Sequence, residues 1–386
     1  MTNLIKKIYF DNAATSWPKP DCVVQAVTDF TQNIGSNPGR SGHSASVKSG
    51  RIVYAARESI ARLFNFADPL RVIFTSNITE ALNLALKGLL KSGDHVITSS
   101  MEHNSMMRPM RQLEKHGIEM TVVNCEQNGC LDPADLSRSV KSTTKMIALN
   151  HASNVTGTLL PIHEVGKICT DYGLLFLVDT AQTAGAFPID MEEDHIDLLA
   201  FTGHKSLYGL SGTGGLIIGD RVDVENFLPL KEGGTGSRSE EEFQPIFLPD
   251  KFESGTLNFT GLAALNASVN WVRDTGIENI RRHETELTKH LLSGLKSIPK
   301  IKLYGPINEN FQTATVSFNL NNLLPSETGL ILDEKFNILC RIGLHCAPAA
   351  HKTVGTFPTG TVRFGLGYFN SKAEINQAIK ALEAIS

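Results

Sequence analysis

The sequence predicts an α/β protein: a mostly parallel sheet covered by helices on both faces, followed by a smaller α+β domain. Short apolar segments alternate with helical patterns up to about residue 260, and the pattern then changes to long helices and isolated strands. The chain has 386 residues, more than one ordinary domain of roughly 150 residues. Short apolar strands that alternate with helices are typical of a sheet buried on both faces.

Six segments rich in β-branched or apolar residues predict the strands of this sheet. They are residues 71–75, 95–99, 118–124, 145–150, 174–179 and 197–202. Apolar residues at three- and four-residue steps, with charged residues between them, predict helices at 47–64, 79–90 and 161–172. Residues 230–260 are rich in glycine and clustered acids, which indicates a long loop or active-site flap.

The C-terminal part is predicted to form the smaller domain. Helical patterns cover residues 261–274 and 276–297, strand-like segments follow at 315–319 and 361–366, and a final helix begins at Ser371. We therefore expect a large domain over residues 12–262. A small domain is expected over 263–386, joined by residues 1–11.

Composition excludes several classes of protein. Hydrophobic residues make up 41% of the chain, charged residues 20%, and the formal net charge is −4, which does not favour binding to nucleic acid or to an anionic membrane. The longest apolar run, residues 174–178, is too short to span a bilayer, and residues 1–10 show no secretory signal. The six cysteines lack paired CxxC spacing, so we expect reduced thiols in a cytoplasmic protein.

Two predicted strand ends carry residues that together suit pyridoxal phosphate. Asp179 ends segment 174–179, and Lys205 follows segment 197–202, both at the edge where α/β sheets bind ligands. Taken alone, Asp179 could simply cap the next helix, and Lys205 could simply be a surface lysine in a turn. Together they supply an acid for a pyridinium nitrogen and an amine for an aldehyde. Residues 74–80 indicate a phosphate site at a helix N-terminus, although they also suit an ordinary helix cap.

Seven motifs in order make the sequence similar to a known family. They are DNAAT at 11–15, TSNITEALN at 75–83, MEHNS at 101–105, VDTAQ at 178–182, TGHK at 202–205, ESGT at 253–256 and RIGLHCAP at 341–348. The chain resembles the cysteine desulfurases, which are class V, fold-type I pyridoxal-phosphate enzymes. The resemblance runs from residue 11 to about 370. It implies a mostly parallel seven-stranded sheet and a homodimer with the active site near the subunit interface.

The resemblance also implies roles for residues around the cofactor ring. Lys205 would hold pyridoxal phosphate covalently and act as the general base. Asp179 would pair with the pyridine nitrogen, and Gln182 would hydrogen-bond the phenolic oxygen. His103 would stack on the ring, whereas a single histidine outside this register is more often a packed residue.

The phosphate of the cofactor would be bound by a second set of residues. The resemblance assigns this role to the backbone at Ile78 and to the side chains of Thr79, Thr202 and His204. Thr256 would reach the phosphate in the partner subunit.

The substrate would contact three further residues. Asn154 matches the position that contacts substrate and cofactor oxygen. Arg363 matches the arginine that binds the substrate carboxylate, although its position at a strand end also allows a surface arginine. Cys346 lies in a segment of small residues beside His345, with Arg341 and Arg363 near in sequence, and these neighbours favour a thiolate.

The activity implied by the resemblance is conversion of L-cysteine to L-alanine, with the sulfur left on Cys346 as a persulfide. An acceptor protein or thiol would then take the sulfur, for iron–sulfur cluster assembly or other sulfur trafficking. The short segment from Cys346 to Arg363 is similar to the SufS and selenocysteine-lyase branch. Leu344 departs from it, because that branch commonly has a histidine there.

Other interpretations remain open from the sequence. A selenocysteine lyase, acting on L-selenocysteine, would use the same residues. Another class V aminotransferase or lyase would not need Cys346, and a scaffolding protein would need no intact Lys205. A metal site at His345, Cys346 and His351 lacks a fourth ligand, so we expect none.

Overall fold

A seven-stranded sheet with helices on both faces forms the larger part of the fold. The computed structural model describes residues 7–38 and 42–386. The strands are β1 (Ile8–Tyr9), β2 (Val72–Thr75), β3 (His95–Ser99), β4 (Glu119–Val123), β5 (Thr144–Asn150), β6 (Leu175–Asp179), β7 (Leu198–Thr202), β8 (Gly214–Ile218), β9 (Ile301–Tyr304), β10 (Thr315–Leu320), β11 (Ile338–Leu339), β12 (Arg341–Gly343) and β13 (Thr361–Gly365). The α-helices are α1 (Asp21–Asp29), α2 (Ser44–Leu63), α3 (Ile78–Leu89), α4 (Asn104–Glu114), α5 (Pro133–Arg138), α6 (Ile162–Tyr172), α7 (Phe259–Thr275), α8 (Ile277–Lys296), α9 (Pro325–Phe336), α10 (Pro348–Thr353) and α11 (Lys372–Ile385).

The large sheet is mostly parallel, as predicted. Its strand order is β2-β8-β7-β6-β5-β3-β4, and β8 runs antiparallel to both of its neighbours. The other pairings within it are parallel. Asn150 at the end of β5 pairs in register with Asp179 at the end of β6. The carboxyl ends of β5, β6 and β7 therefore meet at one edge of the sheet.

Alternation along the strands explains why both faces of the sheet are buried. On β6, Phe176 and Val178 belong to one apolar cluster, and Leu177 belongs to the cluster on the opposite face. On β7, Leu199 and Leu198 divide between the two clusters in the same way. Successive side chains of a strand point to opposite faces, so continuously apolar strands require helices on both sides.

The remaining strands form two smaller sheets. The sheet β12-β13-β10-β9 is antiparallel, and β1 pairs with β11 in parallel. Helices α8, α9 and α11 share one apolar cluster with these strands. Phe10 lies in the same cluster, with its ring centroid 5.1 Å from that of Phe364. The first described strand is thus packed with the C-terminal part of the chain.

The predicted elements agree closely with the observed ones, but several observed elements were not predicted, among them α1, α4 and β8. Each of the six predicted strands of the large sheet lies within one residue of an observed strand. Helix α2 begins at Ser44, three residues before the predicted helix, because His43 Nδ1 accepts a hydrogen bond from the Ser46 backbone N–H. Strand β8 was not predicted from its residues. Between Ile218 and Phe259 the structure has neither helix nor strand, as the loop prediction required.

We propose that the chain divides into two domains, as the sequence suggested. Packing of Ile8 and Phe10 against the small sheets supports assigning the N-terminal residues to the small domain, although residues 1–6 lie outside the described part. Leu265 and Val269 of α7 pack in the core of the large sheet. That packing favours a boundary after α7 rather than at residue 262. No helix in the described ranges combines the length and apolar composition needed to cross a bilayer.

Candidate active site

A cavity of about 180 Å³ lies at the carboxyl edge of the large sheet. It is bordered by the ends of β5, β6 and β7 and by the first residues of α3 and α4. Its lining residues are Asn77, Ile78, Thr79, His103, Ser105, Asn150, Ala152, Asn154, Asp179, Ala181, Gln182, Thr202, His204 and Lys205. A cavity of about 150 Å³ admits a benzene ring. The space therefore suits one substituted aromatic ring.

Lys205 follows β7 on a tight turn. Its carbonyl oxygen accepts hydrogen bonds from the Tyr208 N–H and the Ser16 hydroxyl, each at 2.8 Å. Burial lowers the pKa of its amine to about 8, although the nearby Asp179 carboxylate opposes that effect. At neutral pH an appreciable fraction of the amine is uncharged, as a nucleophile or general base requires.

Asp179 ends β6 and is 4% exposed. Its Oδ1 accepts the Ala181 backbone N–H at 2.8 Å. Burial raises the pKa of this carboxyl, and the hydrogen bond and the charge of Lys205 act in the other direction. A cationic ring nitrogen placed beside it would offset the remaining cost of burying the carboxylate.

His103 caps the N-terminus of α4. Its Nδ1 accepts the Ser105 backbone N–H at 3.0 Å. Burial and, to a smaller extent, the charge of Lys205 lower its pKa to about 4. The ring is therefore neutral at pH 7, and the accepting role of Nδ1 assigns the proton to Nε2. The Ser105 hydroxyl also lies 2.9 Å from that of Thr79, so a polar chain that the sequence did not predict links the two ends of the cavity.

The opposite end of the cavity suits an anionic group. The first N–H groups of a helix lack intrahelical acceptors, and here they belong to Ile78 and Thr79 of α3. The Asn77 side chain occupies the Glu80 N–H instead, at 3.0 Å. His204 Nδ1 is buried and finds no hydrogen-bond partner within the described ranges. These donors, with the Thr202 hydroxyl nearby, fit a phosphate.

The turn that carries Cys346 is held from two sides. Asn154 Nδ2 donates to the His345 carbonyl at 2.7 Å, and the Asn104 N–H donates to the Cys346 carbonyl at 2.9 Å. His345 and Cys346 have φ values of 48° and 59°. Such left-handed conformations cost of order 1–3 kcal/mol each for residues other than glycine. The strained turn presents an exposed thiol.

Of the cationic neighbours expected for Cys346, Arg341 lies beside the sulfur, whereas His345 does not act as a cation. Arg341 Nη2 lies 3.7 Å from the Cys346 sulfur, a position from which it can stabilise a thiolate. His345 is buried instead, with Nε2 3.0 Å from the Thr361 hydroxyl. Burial lowers its pKa to about 2, so the ring is neutral. The expectation that His345 favours a thiolate was wrong.

Arg363 on β13 is only 1% exposed, so it is not a surface arginine. Nη1 donates to the Asn154 carbonyl and Nη2 to Asp11 Oδ1, each at 2.9 Å. Nε finds no partner within the described ranges. The sequence had included Asp11 in a motif without assigning it a role. The pair brings the N-terminal segment and the small sheet to the edge of the cavity.

Glu102 is a second residue whose role the sequence did not predict. It is fully buried, accepts the Ser99 hydroxyl at 2.7 Å, and accepts the Asn150 N–H at 3.0 Å. Burial raises its pKa to about 8. The side chain ties the end of β3 to the end of β5. Its position directly before His103 was the available signal.

Of two further predicted residues, one lines the cavity and the other lies outside it. Gln182 lines the cavity and its Nε2 donates to the Ala13 carbonyl at 3.1 Å. Thr256 is exposed on the segment before α7 and does not line the cavity. Its predicted role concerns a partner subunit, so that role stays a prediction.

Comparisons with known proteins give the chain its relatives. Residues 8–378 match the family model described as Aminotransferase class-V. A protein of Methanothermobacter thermautotrophicus, named a probable cysteine desulfurase, is 35% identical over 98% of this chain and 94% of its own length.

Solved structures give the same picture. A cysteine desulfurase of Thermococcus onnurineus has a TM-score of 0.92 at 33% identity, covering 98% of this chain and 94% of that one. A cysteine desulfurase of Escherichia coli has a TM-score of 0.87 at 27% identity, with the same coverage of both chains. The architecture predicted from the sequence, that of a fold-type I enzyme, is confirmed.

Proposed function

The chain belongs to the aminotransferase class-V family, and we propose that it is a cysteine desulfurase that converts L-cysteine to L-alanine and leaves the sulfur on Cys346. The observation that carries the proposal is the Cys346 turn. An exposed thiol lies beside the Arg341 guanidinium, and its turn is anchored by Asn154, which lines the cavity of Lys205 and Asp179. An aminotransferase that did not use this thiol would need no such arrangement.

The residues of the cavity fit pyridoxal phosphate, which when bound supplies an aldehyde that condenses with amines and a ring that takes up electrons from the substrate α-carbon. Lys205 would hold the aldehyde, and Asp179 would keep a proton on the ring nitrogen. His103 would lie against the ring, and Gln182 would donate to its phenolic oxygen. The donors at the start of α3, with Thr202 and His204, would hold the phosphate.

Substrate binding is assigned to the small sheet and the loop after β5. Arg363 would hold the substrate carboxylate with its guanidinium, as planar forks do. Asn154 Oδ1 is buried and finds no partner within the described ranges, which leaves it available to the substrate. Lys205 Nζ, uncharged in part at neutral pH, would then remove the α-proton.

Sulfur transfer follows from the position of the thiol. The Cys346 thiolate, beside Arg341, attacks the substrate sulfur. The substrate carbon–sulfur bond breaks, and a new sulfur–sulfur bond forms at Cys346. In total, L-cysteine and the Cys346 thiol become L-alanine and a Cys346 persulfide. An acceptor protein or thiol then removes the terminal sulfur.

The wider setting is also part of the proposal. We expect a cytoplasmic homodimer, with Thr256 reaching the phosphate of the partner subunit. The acceptor would serve iron–sulfur cluster assembly or other sulfur trafficking. L-Selenocysteine is the alternative substrate, because the same residues would bind it.

The test measures both products of the reaction. The pure protein, supplied with pyridoxal phosphate, is incubated with L-cysteine or L-selenocysteine, alanine is measured, and the persulfide is mapped by peptide mass. We expect alanine and a persulfide on Cys346. Borohydride reduction followed by peptide mapping should place the phosphopyridoxyl group on Lys205.

Two variants complete this test. Cys346→Ala should still bind the cofactor, but its rate of alanine production from L-cysteine should fall roughly a hundredfold or more. The control variant Cys130→Ala should produce alanine at the parent rate. Desulfuration of L-cysteine by Cys346→Ala at the parent rate would contradict the proposal. That outcome would favour a lyase that does not use this thiol.

A further inference from the structure

A second cavity lies outside the active site, between α4 and α10. It encloses about 620 Å³ and is called here the α4–α10 groove. Its lining residues are Ser100, Asn104, Met107, Arg108, Arg111, Gln112, Lys115, Val122, Asn124, Pro348, Ala349, Lys352 and Thr353. None of their side chains has an assigned role in the proposed chemistry.

The long wall of the groove is one face of α4 together with Lys115, the residue that follows the helix. Asn104, Arg108, Arg111 and Lys115 follow one another at steps of three or four residues, so their side chains share a face. Eleven residues of helical rise correspond to about 16 Å. An extended peptide of about five residues has that length.

The charge of the groove is opposite in sign to that of the whole chain. Among the described residues that line it, four are basic and none is acidic, whereas the chain has a net charge of −4. Arg111 is paired with Glu114 at 2.9 Å. Arg108, Lys115 and Lys352 are exposed. A ligand of this groove should therefore be acidic.

One end of the groove meets the turn that carries the exposed thiol. Asn104, the first residue of the long wall, donates its N–H to the Cys346 carbonyl at 2.9 Å. Pro348 and Ala349 of α10, which form the short wall, follow Cys346 after one intervening residue, Ala347. Between the two walls, the Thr353 hydroxyl of α10 lies 2.9 Å from the Ser100 hydroxyl, and this hydrogen bond holds α10 in place against the segment after β3. A peptide lying in the groove would thus reach Cys346 with one end.

We propose that the α4–α10 groove docks an acidic extended segment of the sulfur-acceptor protein and so delivers the acceptor cysteine to Cys346. This inference rests on the proposed desulfurase activity. In the transfer, the acceptor thiolate attacks the terminal sulfur of the Cys346 persulfide. The sulfur–sulfur bond at Cys346 breaks, one forms on the acceptor, and Cys346 leaves as a thiolate.

The test uses synthetic peptides with one cysteine flanked on both sides by two glutamates, two lysines or two glutamines. Sulfur transfer from the persulfide form of the protein is followed by peptide mass. We expect the glutamate peptide to react at least about tenfold faster than the lysine peptide at 50 mM salt. The advantage should fall steeply at about 0.5 M salt, where screening is stronger. Equal rates for the peptides would overturn the proposal.

Charge variants locate the effect. The triple variant Arg108→Glu, Lys115→Glu and Lys352→Glu should lose the preference for the glutamate peptide, and the corresponding glutamine variant should lose its salt dependence. The control changes three exposed lysines on other helices, Lys167→Glu, Lys335→Glu and Lys380→Glu, by the same charge. A preference lost equally in the control would refute the groove as its source.

A binding measurement separates this inference from the proposed function. A glutamate peptide with serine in place of cysteine, carrying a fluorophore, should bind the parent protein more tightly than the triple glutamate variant, whether or not the protein desulfurates cysteine. A parent that makes no alanine but binds this peptide would refute only the activity. A parent that makes alanine but binds the glutamate and lysine peptides equally would refute only the groove.

Discussion

Among single residues, Arg363 joins more parts of the site than any other side chain described above. It lies on β13, contacts the Asn154 carbonyl after β5, and pairs with Asp11 near the first strand. Burial alone would lower the pKa of its guanidinium, and Asp11 opposes that effect. Asp11 therefore offsets part of the cost of burying the guanidinium charge and holds Nη2 in a fixed direction.

Replacing Arg363 should weaken substrate use while sparing the cofactor. Loss of a charge-assisted pair costs about 1.5–3 kcal/mol, so kcat/KM for L-cysteine should fall by roughly one to two orders of magnitude in Arg363→Ala. Arg363→Lys should recover only part of the loss, because an ammonium lacks the planar fork. The exposed Arg282→Ala serves as the control. A variant that loses the cofactor absorbance but keeps its KM would assign Arg363 a structural role.

Glu102 gives a pH dependence whose sign follows from its raised pKa of about 8. Between pH 4.5 and 8 the folded protein holds a proton that the unfolded chain releases, so this residue's stabilising contribution falls as pH rises. Relative to Glu102→Gln, the parent protein without cofactor should lose on the order of 2 kcal/mol of unfolding free energy between pH 5.5 and 7.5. Thermal unfolding at both pH values measures this. Equal changes in unfolding free energy with pH for the parent and for Glu102→Gln would contradict the prediction. The control is Glu164→Gln, which replaces an exposed glutamate.

At the scale of elements, the sequence predicted strands well where burial alone determined them. Five of the six predicted segments place apolar side chains on both faces, as the buried core requires, whereas the sixth, the edge strand β4, is only partly buried. Strand β8 escaped prediction because it begins with two glycines, which weaken the strand pattern. The reason for those glycines is three-dimensional. A side chain at Gly215 would lie 2.6 Å from the Ile73 carbonyl oxygen and 2.5 Å from the Phe201 ring.

Two glycine substitutions should therefore have opposite effects on stability. Gly215→Ala should destabilise the protein by roughly 1–3 kcal/mol, because the β2 backbone cannot move away from a new methyl group. Gly50→Ala on α2 should stabilise it by up to about 1 kcal/mol, since its nearest contact would be 3.9 Å away. Thermal unfolding of both variants checks the pair. An unchanged midpoint for Gly215→Ala would show that β2 and β8 can separate.

At the scale of the whole molecule, the sequence predicted which residues line the cavity better than it predicted the contacts that join them. Lys205, Asp179 and His103 belong to motifs of the family, and the structure brings them to one cavity. The pairing of Asp11 with Arg363 joins residues 352 positions apart, and neither residue carries a local pattern that reveals the other. Local patterns predict elements, whereas contacts between distant elements depend on the assembled fold.

The proposed homodimer allows a test by mixing two inactive variants. If Thr256 completes the partner's site, a hybrid of a Lys205→Ala chain and a Thr256→Asp chain contains one intact site. Random mixing makes half of the dimers hybrid, so about a quarter of the parent activity should return. Subunit exchange followed by the alanine assay measures it. If mixing restores no activity while mass spectrometry shows hybrids, Thr256 does not serve the partner subunit.

The pairing of Ile8 with Ile338 also has a consequence for the making of the protein. During synthesis at roughly 5–20 residues per second, the first strand waits on the order of 20 to 60 s for its partner to leave the ribosome. Asp11 waits still longer for Arg363. Throughout that time the apolar side chains of Ile8 and Phe10 have no native partner. The Asp11–Arg363 pair, and with it the complete site, can therefore assemble only after Arg363 has been made.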